Sequence, residues 1–125
     1  MEAVCKGAKS QGGTTVGILP GNDPNEANAY VGILICTGMW YAHKAIVVKL
    51  GQAVIAVAGS FGTLSEIGHA SGDNISVIGL KTWILERKNR PDTSILEVNN
   101  PLDAVERAIE AALGHQKAAR LRGSS

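Results

Sequence analysis

Short unbroken apolar runs alternate with helical patterns along the chain, and glycine, proline or asparagine clusters separate them. Thr14–Leu19, Tyr30–Cys36, Ala53–Val57, Ile75–Leu80 and Ile95–Val98 are β-branched and aliphatic runs too short for helices, and they predict strands. The continuous "AVIAV" at Ala53–Val57 reads as the middle of a sheet covered on both faces. Helices are predicted over Glu2–Gln11, with a small-residue stripe of Ala3, Val4, Gly7 and Ala8, and over Met39–Leu50, where Met39, His43, Ile46, Val47 and Leu50 share one face. A third is predicted over Thr63–Ala70. The last follows Pro101 and lines Leu102, Val105, Ile109 and Leu113 along one face. Gly114 ends it, so residues 1–113 form the domain, and 114–125, with "HQKAARLRGSS" too poor in apolar groups to offset the entropy of ordering, form a flexible tail. The polar stretches Asn22–Asn28 and Glu86–Asp92 read as loops, and Ser71–Asn74 as a turn.

Strands alternating with helices predict an α/β fold with a mostly parallel sheet, because each crossover must return over a face of that sheet. Ligands in such sheets sit at the carboxyl ends of the strands. The loops after Leu19, Cys36 and Val57 are therefore the candidate rim.

At 125 residues and 45% hydrophobic content the chain can bury a core, and with only 4% aromatic residues that core is built from Ala, Val, Ile and Leu. The formal charge of +1 gives no broad field for nucleic acid or anionic lipid, so neither is a predicted partner. Cys5 and Cys36 lack metal-ligand spacing and read as buried or half-buried thiols of a reducing compartment. No metal site is predicted. With no leader pattern and no apolar run of about 20 residues, the expected setting is the cytoplasm.

The sharpest chemical signal is "AGSFGTLSE" at Ala58–Glu66, where a strand ends, two glycines follow and a helix begins. One reading is structural: a glycine turn with Thr63 and Glu66 as a capping box. The other is an anion site made of the amides of Gly59, Ser60, Phe61, Gly62, Thr63 and Leu64 and the positive end of the helix dipole. Glu66 is either the cap's fourth residue or a carboxylate one turn from a bound phosphate, suited to act as a base or to stabilise a cationic sugar. His43 falls on the inward helix face, whereas Lys44, turned away by about 100 degrees, reads as solvated. Trp40 and Tyr41 serve a subunit contact or a base-stacking wall. The loop "PGNDPNEAN" offers polar groups that suit a ligand or an ordinary turn equally.

The order "GGTTVGILPGNDPNEANAYV", "TGMWYAHKAIVV", "AVIAVAGSFGTLSEIGHA" and "VIGLKTW" resembles the Rossmann-like family of the molybdenum cofactor carrier proteins. More distantly it resembles the Lonely Guy cytokinin-activating phosphoribohydrolases, often labelled lysine decarboxylases. The resemblance implies a three-layer nucleotide-binding domain that forms homodimers or homotetramers, with a site near the subunit boundary. It places Pro20, Gly21, Thr37, Gly38 and Met39 beside the Gly59–Leu64 loop as nucleotide-binding residues, and Glu66 and His43 as the catalytic pair if the chain is an enzyme. In the Lonely Guy members a PGGxGTxxE motif and a Met-x-x-Arg-Lys segment hold a nucleoside monophosphate and cleave its N-glycosidic bond. Gly59, Gly62, Thr63 and Glu66 fit the first motif, but Ala58 stands for its proline and Ser60 for its second glycine. Met39 and Lys44 fit the second, with His43 in place of arginine, so a permanent bidentate cation gives way to an imidazole.

Family domains begin roughly 40 residues further upstream, with strands this sequence lacks, which implies a fragment or a shortened relative whose sheet edge is covered by another chain. Three functions follow from the resemblance: a carrier of a phosphorylated nucleotide-like ligand such as the molybdenum cofactor, with no other cofactor required; a hydrolase of nucleoside 5′-monophosphates; or a non-catalytic oligomeric scaffold.

Overall fold

Parallel pairing takes up the apolar runs, each strand four residues long and joined to its neighbour in strict register. The computed structural model describes residues 1–123. It contains four α-helices, α1 (Glu2–Ser10), α2 (His43–Leu50), α3 (Phe61–Gly72) and α4 (Pro101–Gly123). The strands are β1 (Val16–Leu19), β2 (Ile33–Cys36), β3 (Val54–Val57), β4 (Val77–Leu80), β5 (Glu86–Arg87), β6 (Arg90–Pro91) and β7 (Ile95–Val98). The fold is α/β, and the chain divides into two units, Met1–His43 and the part from Lys44 onward.

In the first unit β1 and β2 pair in parallel, from Val16 opposite Ile33 to Leu19 opposite Cys36. Buried Thr15 fastens the entry to this pair: its hydroxyl donates to the Tyr30 carbonyl at 2.6 Å and accepts from the Gly32 amide at 2.8 Å. Every residue of β2 is exposed, including Ile33 at 51%. Cys36 is therefore exposed rather than half-buried as expected, while Cys5 is half-buried, and both are free thiols.

The second unit holds a three-stranded parallel sheet in the order β3-β4-β7. Its core is Val48 of α2, Ala56 of β3, Ile67 and Ala70 of α3, and Ile75, Val77 and Ile95. The most buried strand is β4, not β3: Val77, Ile78 and Gly79 are buried, whereas Ile55 and Val57 are 39% and 55% exposed. Ala53–Val57 is thus corrected from a mid-sheet strand to an edge strand, since only β4 pairs with it among the described residues. Continuity of apolar residues reports burial demand, not which strand finds two neighbours.

The last helix departs from expectation twice. It runs through Gly114 to Gly123, because open space surrounds Gly114 and one glycine costs a long helix only about 1 kcal/mol. Beyond Gly114 the side chain of Gln116 donates to Gln52 at 2.8 Å. Residues 114–123 of the predicted tail are therefore helical, and its last two lie outside the described residues. The buried face is also not the predicted one. Ala104 is 2% exposed, whereas Leu102, Val105, Ile109 and Leu113 are 47–68% exposed. Small alanines let the helix approach the sheet, and the large side chains are left outward.

The polar stretch Glu86–Asp92 is a two-stranded antiparallel hairpin, β5 with β6, turned by Lys88 and Asn89 in left-handed backbone at φ 50° and 62°. That is the twist hairpins prefer. Among the described residues no helix is long and apolar enough to cross a membrane.

Candidate functional site

The connection between β3 and α3 is three residues long, and its backbone is bent sharply. Ala58 sits at φ 50°, a left-handed conformation that costs a non-glycine residue about 1–2 kcal/mol. Gly59 follows at φ 133°, where a Cβ would lie 2.7 Å from Cβ of Thr63. Only glycine fits there. Ser60, not Thr63, is the N-cap: its backbone is extended and its side chain accepts from the Gly62 amide at 3.3 Å.

This start, two residues earlier than predicted, removes the Thr63–Glu66 capping box. Thr63 lies inside the first turn, folded back on Gly59, and Glu66 has no cap to make. Its carboxylate instead meets the Lys44 ammonium at 3.4 Å, with the two side chains 30% and 17% exposed. The reading of Lys44 as a solvated lysine is corrected: its Nζ lies 2.8 Å from where a Cβ on Gly62 would stand. The glycine at the second helical position is thus the space that the lysine head occupies.

The loop's carbonyls are engaged by the segment after β4. Thr82 donates its hydroxyl to the Ala58 carbonyl at 2.5 Å, and the Trp83 indole N–H donates to the Ser60 carbonyl at 3.2 Å. The Ala58 amide returns to the Leu80 carbonyl, which extends the strand pairing by one bond. Of the predicted donors, the Gly62 amide goes to the Ser60 hydroxyl and the Leu64 amide to the Ser60 carbonyl. The amides of Gly59, Ser60, Phe61 and Thr63 have no protein partner among the described residues. Four N–H groups at the positive end of a helix, with an ammonium beside them, can hold an anion.

In the first unit the loops at the carboxyl ends of β1 and β2 are tied to each other. The Thr37 hydroxyl donates to the Leu19 carbonyl at 2.7 Å, the Gly38 amide to Gly21 at 3.0 Å and the Trp40 amide to Pro20 at 2.9 Å. The Met39 amide donates to the Thr37 hydroxyl at 3.2 Å. Pro20, Gly21, Thr37, Gly38 and Met39 are thus brought together, but the donors of Thr37, Gly38 and Met39 are used within the turn. Gly38, at φ 62°, leaves the room that the Asn22 side-chain amide fills. His43 turns its Nδ1 to the Trp40 carbonyl, an acceptor, so Nδ1 is the donor of that bond. Trp40 and Tyr41 are 63% and 87% exposed.

The resemblance marked Lys44 as part of a ligand-holding segment, but sequence reasoning missed its pairing with Glu66 and the roles of Thr82 and Trp83. No local spacing joins Lys44 to Glu66, but Thr82 and Trp83 directly follow a strand's carboxyl end, the position from which ligand loops are expected. Among the described residues no group of three or more His, Cys, Asp or Glu is arranged to hold a metal ion.

The sequence profile of the SLOG cluster4 family matches residues 1–105. An uncharacterised protein of Archaeoglobus fulgidus is 43% identical over 81 residues, which are 65% of this chain and 53% of that protein, so the match spans about half of that relative's length. Among solved structures, the molybdenum cofactor binding protein of Rippkaea orientalis is similar with a TM-score of 0.63 and 27% identity, over 99% of this chain and 69% of that one. The molybdenum cofactor carrier protein of Chlamydomonas reinhardtii is similar with a TM-score of 0.69 and 25% identity, over 88% of this chain and 68% of that one.

Proposed function

The chain belongs to the SLOG cluster4 family, and from that premise we propose that it binds and carries a phosphorylated, nucleotide-like small molecule, with the molybdenum cofactor as the leading ligand. One observation carries this reading: the amides of Gly59, Ser60, Phe61 and Thr63 are open while the Lys44 ammonium stands beside Gly62. A phosphate dianion is the ligand that such a donor set suits, because charge-assisted bonds to several fixed N–H groups need no reorganisation of the loop. The Ser60 and Thr63 hydroxyls add donors. Two solved proteins of similar structure bind or carry the molybdenum cofactor, which supports that ligand class. Within the first unit, Pro20, Gly21, Thr37, Gly38 and Met39 form a turn in which the donors of Thr37, Gly38 and Met39 are used internally.

The test is a melting curve of the full chain with guanosine 5′-monophosphate, ribose 5-phosphate, inorganic phosphate and isolated molybdenum cofactor. A ligand present at 100 times its Kd stabilises the native state by about 2.7 kcal/mol, enough to raise Tm by several degrees. No shift with any of them would remove the carrier reading and leave an oligomeric scaffold.

A second reading is hydrolysis of nucleoside 5′-monophosphates to free base and ribose 5-phosphate, favoured by the Lys44–Glu66 pair. Released from capping, Glu66 is a fixed carboxylate one helical turn from the open amides, a position from which it can activate water or stabilise an oxocarbenium-like sugar. Release of free base, abolished by Glu66→Gln while the Tm shift persists, would establish the enzyme over the carrier. The assembled form we propose is a cytoplasmic homodimer or homotetramer, supported by the large apolar side chains of β2, β3 and α4 that remain exposed.

A further inference from the structure

Phe61 is 80% exposed at the first position of α3, and its ring leans on Trp83 with centroids 5.7 Å apart and planes tilted by 38°. Exposed phenylalanines cost solubility and are usually free to swing, but this one is backed by an anchor. Trp83 packs against the core cluster on one side, and its indole N–H is committed to the Ser60 carbonyl at 3.2 Å. The neighbouring Thr82 holds the Ala58 carbonyl at 2.5 Å. The tryptophan is therefore pinned by the same loop whose amides are open, and the phenylalanine ring presents its remaining face to solvent beside its own unpaired N–H.

From this arrangement we propose that Phe61 and Trp83 form a stacking platform for a planar heteroaromatic ring, so that the site takes ligands in which such a ring is joined to phosphate by a short linker. The proposal rests on the anion-binding reading of the Gly59–Thr63 loop and adds the feature that selects among phosphorylated ligands. Aromatic side chains favour any planar ring offered face-on, because dispersion and quadrupole attraction act over the whole ring area. A bare sugar phosphate satisfies the amides but leaves the platform wet. Recognition is thus divided: backbone N–H groups grip the phosphate, and the aromatic pair chooses the ring.

The experiment uses the full chain carrying Trp40→Phe, so that Trp83 is the only tryptophan, titrated with guanosine 5′-monophosphate and with ribose 5-phosphate. Expected are about tenfold tighter binding of the nucleotide, the ratio that one stacked ring supplies, and quenching of Trp83 fluorescence by the nucleotide alone. Phe61→Ala should reduce the ratio to near one, and Phe61→Leu, which keeps apolar bulk without a π face, should reduce it nearly as far. Circular dichroism of each variant checks that α3 remains folded. Equal affinity of the starting protein for the two ligands overturns the platform and leaves the anion loop standing. Phe61 variants that keep the full ratio also overturn it. Binding of neither ligand overturns both readings together.

Discussion

Lys44 and Glu66, 22 residues apart in sequence, meet at 3.4 Å with the lysine head resting over the backbone of Gly62. The lysine thereby stands beside a carboxylate and beside the loop proposed to bind an anion. Lys44→Met should cost little stability, about 1 kcal/mol or less, because the pair is partly solvated. It should weaken binding of ribose 5-phosphate severalfold, since it removes the ammonium beside the open amides. Calorimetric titration beside urea unfolding separates the two effects, and a ligand affinity unchanged by the substitution would show that the lysine serves Glu66 alone.

The two loop glycines should respond differently to the same substitution. Gly59→Ala places a Cβ 2.7 Å from Thr63 Cβ at φ 133°, so backbone must move and about 1–3 kcal/mol of stability should be lost together with binding. Gly62→Ala comes closest to the far end of Lys44, at 2.8 Å from Nζ, with Ser60 Oγ at an ordinary 3.5 Å, and alanine is the better helix former. Its stability should stay within about 1 kcal/mol of the starting protein while affinity falls through the displaced ammonium. Equal losses for both variants in urea unfolding would contradict this account of Gly62.

Gly79, in the middle of β4, links the core to the site. A Cβ there would lie 2.6 Å from Ile95 Cγ2 and 2.7 Å from the Thr82 methyl. Gly79→Ala should overpack the sheet by about 1–3 kcal/mol. It should also push Thr82 off the Ala58 carbonyl, loosening the loop at a distance. Hydrogen exchange of the Ala58 amide, which is bonded to Leu80, is the readout: faster exchange is expected before global unfolding.

Element types were largely legible in the sequence, and element surroundings were not. Ile95–Val98 forms a strand over the predicted residues, and β1 to β4 lie within their predicted runs, because short β-branched runs between turns have few alternatives. Burial was misread where it depends on neighbours. Ala53–Val57 is more continuously apolar than its pairing requires, and in α4 the alanines rather than the leucine and isoleucine face take the sheet. The site divides in the same way. Gly59 is marked by local backbone geometry that glycine announces, whereas the cap fell on Ser60 and not on the expected Thr63, and the bonds that Lys44, Thr82 and Trp83 make to Glu66 and the loop join residues more than 20 positions apart, which no local spacing encodes.

Gly114 gives the simplest stability test. It sits inside α4 with nothing within 4 Å of the point where a Cβ would stand, so an added methyl meets only solvent. Gly114→Ala should therefore raise stability by about 0.5–1 kcal/mol through lost freedom in the unfolded chain. Gly114→Pro should break the helix there and lower both helicity and Tm. If the alanine variant gains nothing, the helix does not continue through this position in solution.

The outward face of α4 carries the last prediction. Leu102, Val105, Ile109 and Leu113 recur at helical spacing and are 68%, 47%, 55% and 61% exposed, and Val105 and Ile109 border an open apolar groove with Leu50, Ala53 and Ile55. Burying side chains of this size contributes about 1.5–3 kcal/mol each, so a surface holding several of them drives association in water. The chain should sediment as a dimer or larger species at micromolar concentration. Ile109→Glu should shift it towards monomer, because an unpaired carboxylate buried in that groove costs more than the isoleucine contributes. The substituted side chain is more than half exposed in the isolated chain, so helicity should be retained and the loss should be confined to assembly. A wild-type chain that stays monomeric at that concentration would show that this face is tolerated by water and that the proposed oligomer is built elsewhere or not at all.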